Sequence, residues 1–168
     1  GIMPLGATLI SKKVAKFYEN EYFPTGLTNY AHPISCAAAI EAIKTYKRGN
    51  LIKKSEKLGN LIEKKLTKMK KKFKCIGDVR GKGLFYAIEF IKNKNGERLI
   101  NWTYKNYFKE SPQMKNLFKF LLENGMFCYG RYNMIYICPP LIIKKRELER
   151  GLNLIERGIA INIENKFF

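Results

Sequence analysis

The chain has 168 residues, enough for one domain or for one and part of another, and 46% of them are apolar, which excludes a disordered chain. No apolar run reaches the length of a membrane-spanning helix, and residues 1–10 lack the basic region and cleavage signature of a secretory leader. Thirty-two Lys+Arg against fourteen Asp+Glu give a net charge of +18. Only seven of those cations are Arg, so the basic surface is mostly Lys, which hydrates strongly and forks poorly onto phosphates.

In chain order, residues 1–10 read as a loop broken by Pro4 and Gly6, feeding a short strand at 7–10. Residues 11–18 suit a short helix capped by Ser11. Residues 19–33 are irregular, punctuated by Pro24, Gly26 and Pro33. SCAAAIEAIKTYK, from residue 35, is a helix of strong formers, interrupted at Gly49-Asn50. A second amphipathic helix follows, with Leu58, Leu61, Ile62, Leu66 and Met69 on one side and lysines on the other.

The period then changes. Residues 75–92, CIGDVRGKGLFYAIEFIK, read as a strand, a tight glycine turn and a long strand, with a further turn at Asn93–Gly96. Trp102, Tyr104, Tyr107 and Phe108 suggest a packed loop. Ser111-Pro112 opens a helix that Asn124-Gly125 ends. Residues 126–130 and 134–138 read as short strands around Arg131-Tyr132-Asn133, closed by Pro139-Pro140. A last amphipathic helix runs from Lys145 to about Asn162, carrying Leu148, Leu152, Ile155 and Ile159. From residue 50 on, the pattern is α+β, with helices on a small sheet.

No complete catalytic constellation emerges from the residues alone. Asp78 is the only Asp, and Glu89 sits in an apolar strand where an Arg or Lys partner is the expected role. His32 has no serine in a nucleophile-elbow setting, and GDVRGKG at 77–83 is not a phosphate-binding loop. Cys36, Cys75, Cys128 and Cys138 lack metal-ligand spacing and stand in apolar or mixed runs, so buried free thiols and no metal site are expected.

Four blocks in order do carry a resemblance: PLGATLIS, GLTNYAHPISCAAAIEAI, IGDVRGKGLFYAIEF and CPPLIIKKRELERGL, which together span residues 4–152. They resemble the class III aminotransferases, pyridoxal-phosphate enzymes of fold type I. The resemblance implies an α/β chain that is the C-terminal part of such an enzyme. Residues 1–49 would be the tail of the large, cofactor-binding domain and 50–168 the α+β small domain. It places the Schiff-base lysine upstream of Gly1, so residues 1–168 alone are expected not to catalyse transamination. It implies that Thr28 contacts the cofactor phosphate across a homodimer interface, although residues 28–33 depart from the family's T-Y-S-G-H-P. Gly26 would allow the close approach there, and His32 would be a packed, hydrogen-bonded loop residue. It implies that Arg131 binds the substrate carboxylate, because a guanidinium fork fits that group. Arg80 would support the small domain rather than touch substrate. The implied partners are a small-molecule amino donor, ω-amino or amino acid, and an oxo acid such as pyruvate. The taurine or ω-amino acid:pyruvate subgroup looks nearest. A cytoplasmic setting, with no membrane and no nucleic acid, is expected. Two alternatives stay open: a basic nucleic-acid-binding domain, and a catalytically dead aminotransferase-like partner.

Overall fold

The structure, a computed structural model, describes residues 2–101, 103–106, 109 and 111–167, Tyr104 without its side chain. The chain divides into two compact units, residues 1–50 and 51–168.

The first unit holds two helices, α1 (Lys12–Phe17) and α2 (Pro33–Arg48). Ser11 caps α1, its hydroxyl accepting the Val14 N–H at 3.4 Å. Pro33 opens α2, where its missing N–H costs nothing. The strand expected at 7–10 does not form. A strand needs a neighbour to take its N–H and C=O groups, and no described segment pairs with these residues.

The second unit begins with α3 (Leu51–Lys72), whose buried residues Leu58, Ile62, Leu66 and Met69 recur at helical spacing. Then come β1 (Ile76–Lys82), β2 (Phe85–Phe90), a 3-10 turn at Tyr104–Asn106, α4 (Pro112–Glu123), β3 (Tyr129–Arg131), β4 (Met134–Ile137) and α5 (Lys145–Ile159). A π-helical turn (Ala160–Glu164) and the short α6 (Asn165–Phe167) end it, so the expected last helix changes character three residues early. Of the loop aromatics, Trp102, Tyr107 and Phe108 and the Tyr104 side chain lie outside the described residues.

The four strands form one antiparallel sheet in the order β1-β2-β4-β3. One face carries Val79, Tyr86, Ile88, Phe90, Ile135 and Ile137 into a core shared with α3, α4 and α5. Burial of such side chains stabilises by roughly 1.5–3 kcal/mol each, which makes this layer the main source of the unit's stability. Helix α3 meets the β1–β2 turn at two glycines. A Cβ on Gly59 would stand 2.4 Å from the Gly83 carbonyl oxygen, and Gly83 has φ +58°. The Ser55 hydroxyl accepts the Leu84 N–H at 3.1 Å, which ties the turn to the helix.

The opposite face follows from the register. One row across the sheet is Asp78, Glu89, Met134 and Arg131; the next is Arg80, Ala87, Tyr136 and Tyr129. Four of these eight residues are charged and two are tyrosines.

Candidate functional site

In the first unit, residues 27–32 form a tight loop ahead of α2. The Tyr30 N–H donates to the Leu27 carbonyl at 3.1 Å. Asn29 (φ +66°) and Ala31 (φ +53°) take the left-handed conformations that bend it. Gly26 does not, and the space around its Cβ position is open. Thr28 is exposed, at the second position of the turn that Leu27 opens. The N-terminus of α2 has no side-chain cap and no acidic residue in its first turn. His32 occupies the cap position, half-buried, and its Nδ1 is buried without a partner among the described residues. Among the described residues, the His32 side chain makes no cap hydrogen bond to α2. An exposed hydroxyl beside an uncapped, positively polarised helix end fits a phosphate group. These are the residues of this chain that could hold the phosphate of a cofactor.

In the second unit, the charged end of the open sheet face centres on Glu89, a buried carboxylate. Its Oε2 accepts from Arg80 Nη1 at 2.9 Å and its Oε1 from Asn133 Nδ2 at 3.3 Å, and Oε1 forms an ion pair with Arg98 Nε at 2.9 Å. Burial alone would raise its pKa. The hydrogen bonds from Arg80 and Asn133 and the charges of Arg98 and Arg80 outweigh that and hold it below the usual carboxylate value. Arg80 also binds Asp78 Oδ2 at 2.7 Å, and this pairing, with help from Lys70, holds the Asp78 carboxyl low. Glu89 thus has arginine partners, and Arg80 is tied to carboxylates of its own hairpin.

Asn133 couples this cluster to the β3–β4 turn. Its amide donates to the Phe90 carbonyl at 2.9 Å, and its own carbonyl accepts the Phe90 N–H at 2.7 Å. The turn is strained: Tyr132 is left-handed (φ +56°), buried, and its hydroxyl is without a partner among the described residues. Arg131 precedes it at the end of β3, on the open face opposite Met134, with its guanidinium carbon 5.1 Å from the Tyr132 ring centre. Thr28 and Arg131 belong to different units, and each is placed within its own.

Beside the charged cluster, Phe85, Tyr136 and Tyr129 stack in a ladder across β2, β4 and β3, with ring centres 6.2 and 5.7 Å apart. The ladder borders a cavity of about 710 Å³ that reaches down to Leu148 and Leu152 of α5. Cys128 and Cys138 border it too. Cys75 is buried, but Cys138, which follows the last residue of β4, is exposed, contrary to the expectation for all four thiols. Burial pushes the Cys128 thiol up to about 11. Among the described residues, no group of His, Cys, Asp and Glu could hold a metal ion. Arg98, Asn133, Tyr129 and Tyr136 were not singled out from the sequence. The alternation in LFYAIEF put Phe85 and Glu89 on one face, but their cross-strand neighbours depend on a register that the string does not spell out.

The fold is that of an antiparallel sheet layered on helices, with an exposed loop and helix end in a separate unit. It is similar to the taurine:2-oxoglutarate aminotransferase of Bifidobacterium kashiwanohense, determined in complex with PLP and glutamate. There the TM-score is 0.78 at 26% identity, over 95% of this chain and 34% of that one. An amine transaminase from an uncultivated Pseudomonas species shows the same fold, with a TM-score of 0.80 at 24% identity over 96% of this chain and 36% of that one. Residues 1–159 match the family Aminotransferase class-III, and the chain belongs to that family. Curated relatives include the (R)-1-hydroxy-2-aminoethylphosphonate ammonia-lyase of Vibrio splendidus (strain 12B01), 30% identical over 163 residues, 95% of this chain and 31% of that protein. The leucine/methionine racemase of Thermococcus litoralis is 32% identical over 161 residues, 94% of this chain and 34% of that protein. The chain spans about a third of the length of these relatives.

Proposed function

We infer that this chain is the C-terminal part of a pyridoxal-phosphate-dependent aminotransferase. That enzyme would move an amino group from an ω-amino or amino acid donor to an oxo acid such as pyruvate. The observation that carries the reading is the continuous family match over residues 1–159, which runs through both units. The relatives named above include a lyase and a racemase, so amino transfer is one of several outcomes that this scaffold supports. The PLP-bound aminotransferase fold favours it. Residues 1–49 would be the tail of the large domain and 50–168 the small domain, a reading in keeping with the division after residue 50.

When bound, pyridoxal phosphate supplies the electron sink for the substrate's Cα carbanion. The work of this chain is to bind and orient. Thr28 donates its hydroxyl to the cofactor phosphate, and the uncapped end of α2 adds its positive pole. Because Thr28 lies on an exposed loop, it is available to a cofactor held by a neighbouring subunit, which would make the intact protein a homodimer. Arg131 holds the substrate carboxylate with its guanidinium fork. None of the lysines of residues 1–168 is assigned to the cofactor, and this chain alone would not transaminate. Four free cysteines suit a reducing, cytoplasmic setting.

The test is kinetic, on the intact gene product. Thr28→Val should weaken pyridoxal phosphate binding by about tenfold, the loss of one charge-assisted hydrogen bond. Arg131→Gln should raise KM for carboxylate substrates far more than for amines without a carboxylate. Equal effects on both substrate types would remove Arg131 from the site.

A further inference from the structure

The four-stranded sheet has two edges, and they are finished differently. β1 carries Asp78, Arg80 and Lys82, charges of the kind that keep another strand from pairing there. β3 lies at the other edge, with β4 on one side and no described strand on the other. Phe127 and Cys128, which lead into it, make no backbone hydrogen bond among the described residues. Two large aromatic side chains stand exposed along this edge, Phe127 at 82% and Tyr129 at 60%. The two faces of the edge differ. Gly130 faces α4, and a Cβ there would meet Phe118 Cζ at 2.4 Å. On that side a groove of about 330 Å³ runs between α4 and residues 126–130, with Phe118 and Leu122 in its apolar lining and Lys115 and Lys119 as its charged residues. Lys119 is loosely paired with Glu123 at 3.8 Å, and Lys115 has no carboxylate partner among the described residues. On the opposite face, Tyr129 ends the ring ladder that starts at Phe85.

We propose that the free edge of β3 docks an extended segment of a partner polypeptide, in which aromatic side chains alternate with acidic ones, as a fifth strand of the sheet. Strands pair about 4.8 Å apart, and the side chains of an added strand alternate between the two faces. Those on the α4 side enter the groove, where Lys115 and Lys119 favour carboxylates. Those on the other side stand beside Tyr129, where a ring continues the ladder. The backbone of the segment takes up the unpaired N–H and C=O groups of the edge. A second copy of this chain fits poorly, because a net charge of +18 sets like charges against each other. An acidic partner meets complementary charge instead. The inference draws on neither Thr28 nor Arg131.

The test uses the intact gene product and a fluorescein-labelled peptide in which glutamate and tyrosine alternate, read by anisotropy and by hydrogen exchange. The peptide should bind saturably, about tenfold more tightly than its counterpart with lysine for glutamate, and should slow exchange at residues 126–131. N-methylating its backbone amides removes the strand donors and keeps every side chain, and the affinity should fall about tenfold. Phe127→Ala should weaken binding about fivefold, through lost contact with the peptide rings. The double variant Lys115→Glu, Lys119→Glu should turn the preference over to the lysine peptide, which attraction to the lysine-rich surface at large would not do. Circular dichroism should be unchanged in both variants, since all three side chains are exposed. No binding, equal binding of the N-methylated peptide, or protection on α3 with none at 126–131 overturns the proposal. So does a double variant that still prefers the glutamate peptide.

Discussion

Replacing Glu89 by Gln deletes one charge and leaves two guanidinium groups and a buried amide facing a neutral acceptor. Arg80 donates to that carboxylate at 2.9 Å and Asn133 at 3.3 Å, and Arg98 is ion-paired with it at 2.9 Å. Breaking a fully buried pair costs about 3–5 kcal/mol. Here both arginine side chains are 52% exposed and recover hydration when the charge goes, so the lower range for charge-assisted hydrogen bonds applies, about 1.5–3 kcal/mol. The loss also depends on pH with a definite sign. The folded pKa of Glu89 lies below its unfolded value. Its contribution is therefore complete above the unfolded pKa, about 4.3, and is lost as pH falls through the folded one. Urea unfolding of wild type and variant at pH 7 should differ by about 1.5–3 kcal/mol, and the gap should close as pH falls below about 4. A gap under about 0.5 kcal/mol at pH 7, or one that does not change with pH, would refute the role given to this cluster.

Gly59→Ala should destabilise by about 1–3 kcal/mol despite a better helix former, because the new methyl meets backbone at Gly83 that no rotamer change can move. Gly151→Ala, also within a helix but with its nearest neighbour at 3.8 Å, should stabilise by about 0.5–1 kcal/mol in the same denaturation assay. Ser111→Ala should cost about 1 kcal/mol, since its hydroxyl accepts the Met114 N–H at 3.1 Å as the cap of α4. With iodoacetamide at pH 8 and peptide mass mapping, exposed Cys138 should be modified first. Buried Cys75, whose pKa is raised by burial and by Glu164, should react only on unfolding.

Much of the second unit is legible in the string because its signals are local. Ser111-Pro112 and Asn124-Gly125 bracket α4 as helix chemistry requires, and the glycine at 83 supplies the left-handed φ of a two-residue hairpin turn. Leu148, Leu152, Ile155 and Ile159 recur at helical spacing, and all four are buried in α5. What was not legible is non-local. Residues 7–10 look like a strand by composition, yet no described segment pairs with them. The left-handed residues of the 27–32 loop are Asn29 and Ala31, neither of which announces itself as a glycine would. The Glu89 cluster joins residues 80, 89, 98 and 133, whose meeting depends on the β2–β4 register and on a loop between them. Only the expectation of an Arg or Lys partner for Glu89 could be drawn from its apolar setting.

The central claim is that this chain serves a pyridoxal-phosphate enzyme without carrying the lysine that binds the cofactor. Borohydride reduction of the intact gene product with its cofactor, followed by peptide mapping, tests it most directly. The account predicts one stoichiometric pyridoxyl-lysine in a peptide upstream of Gly1, and only scattered, substoichiometric labelling within residues 1–168. A stoichiometric label on a lysine of residues 1–168, or an intact protein that takes up no cofactor, would contradict it.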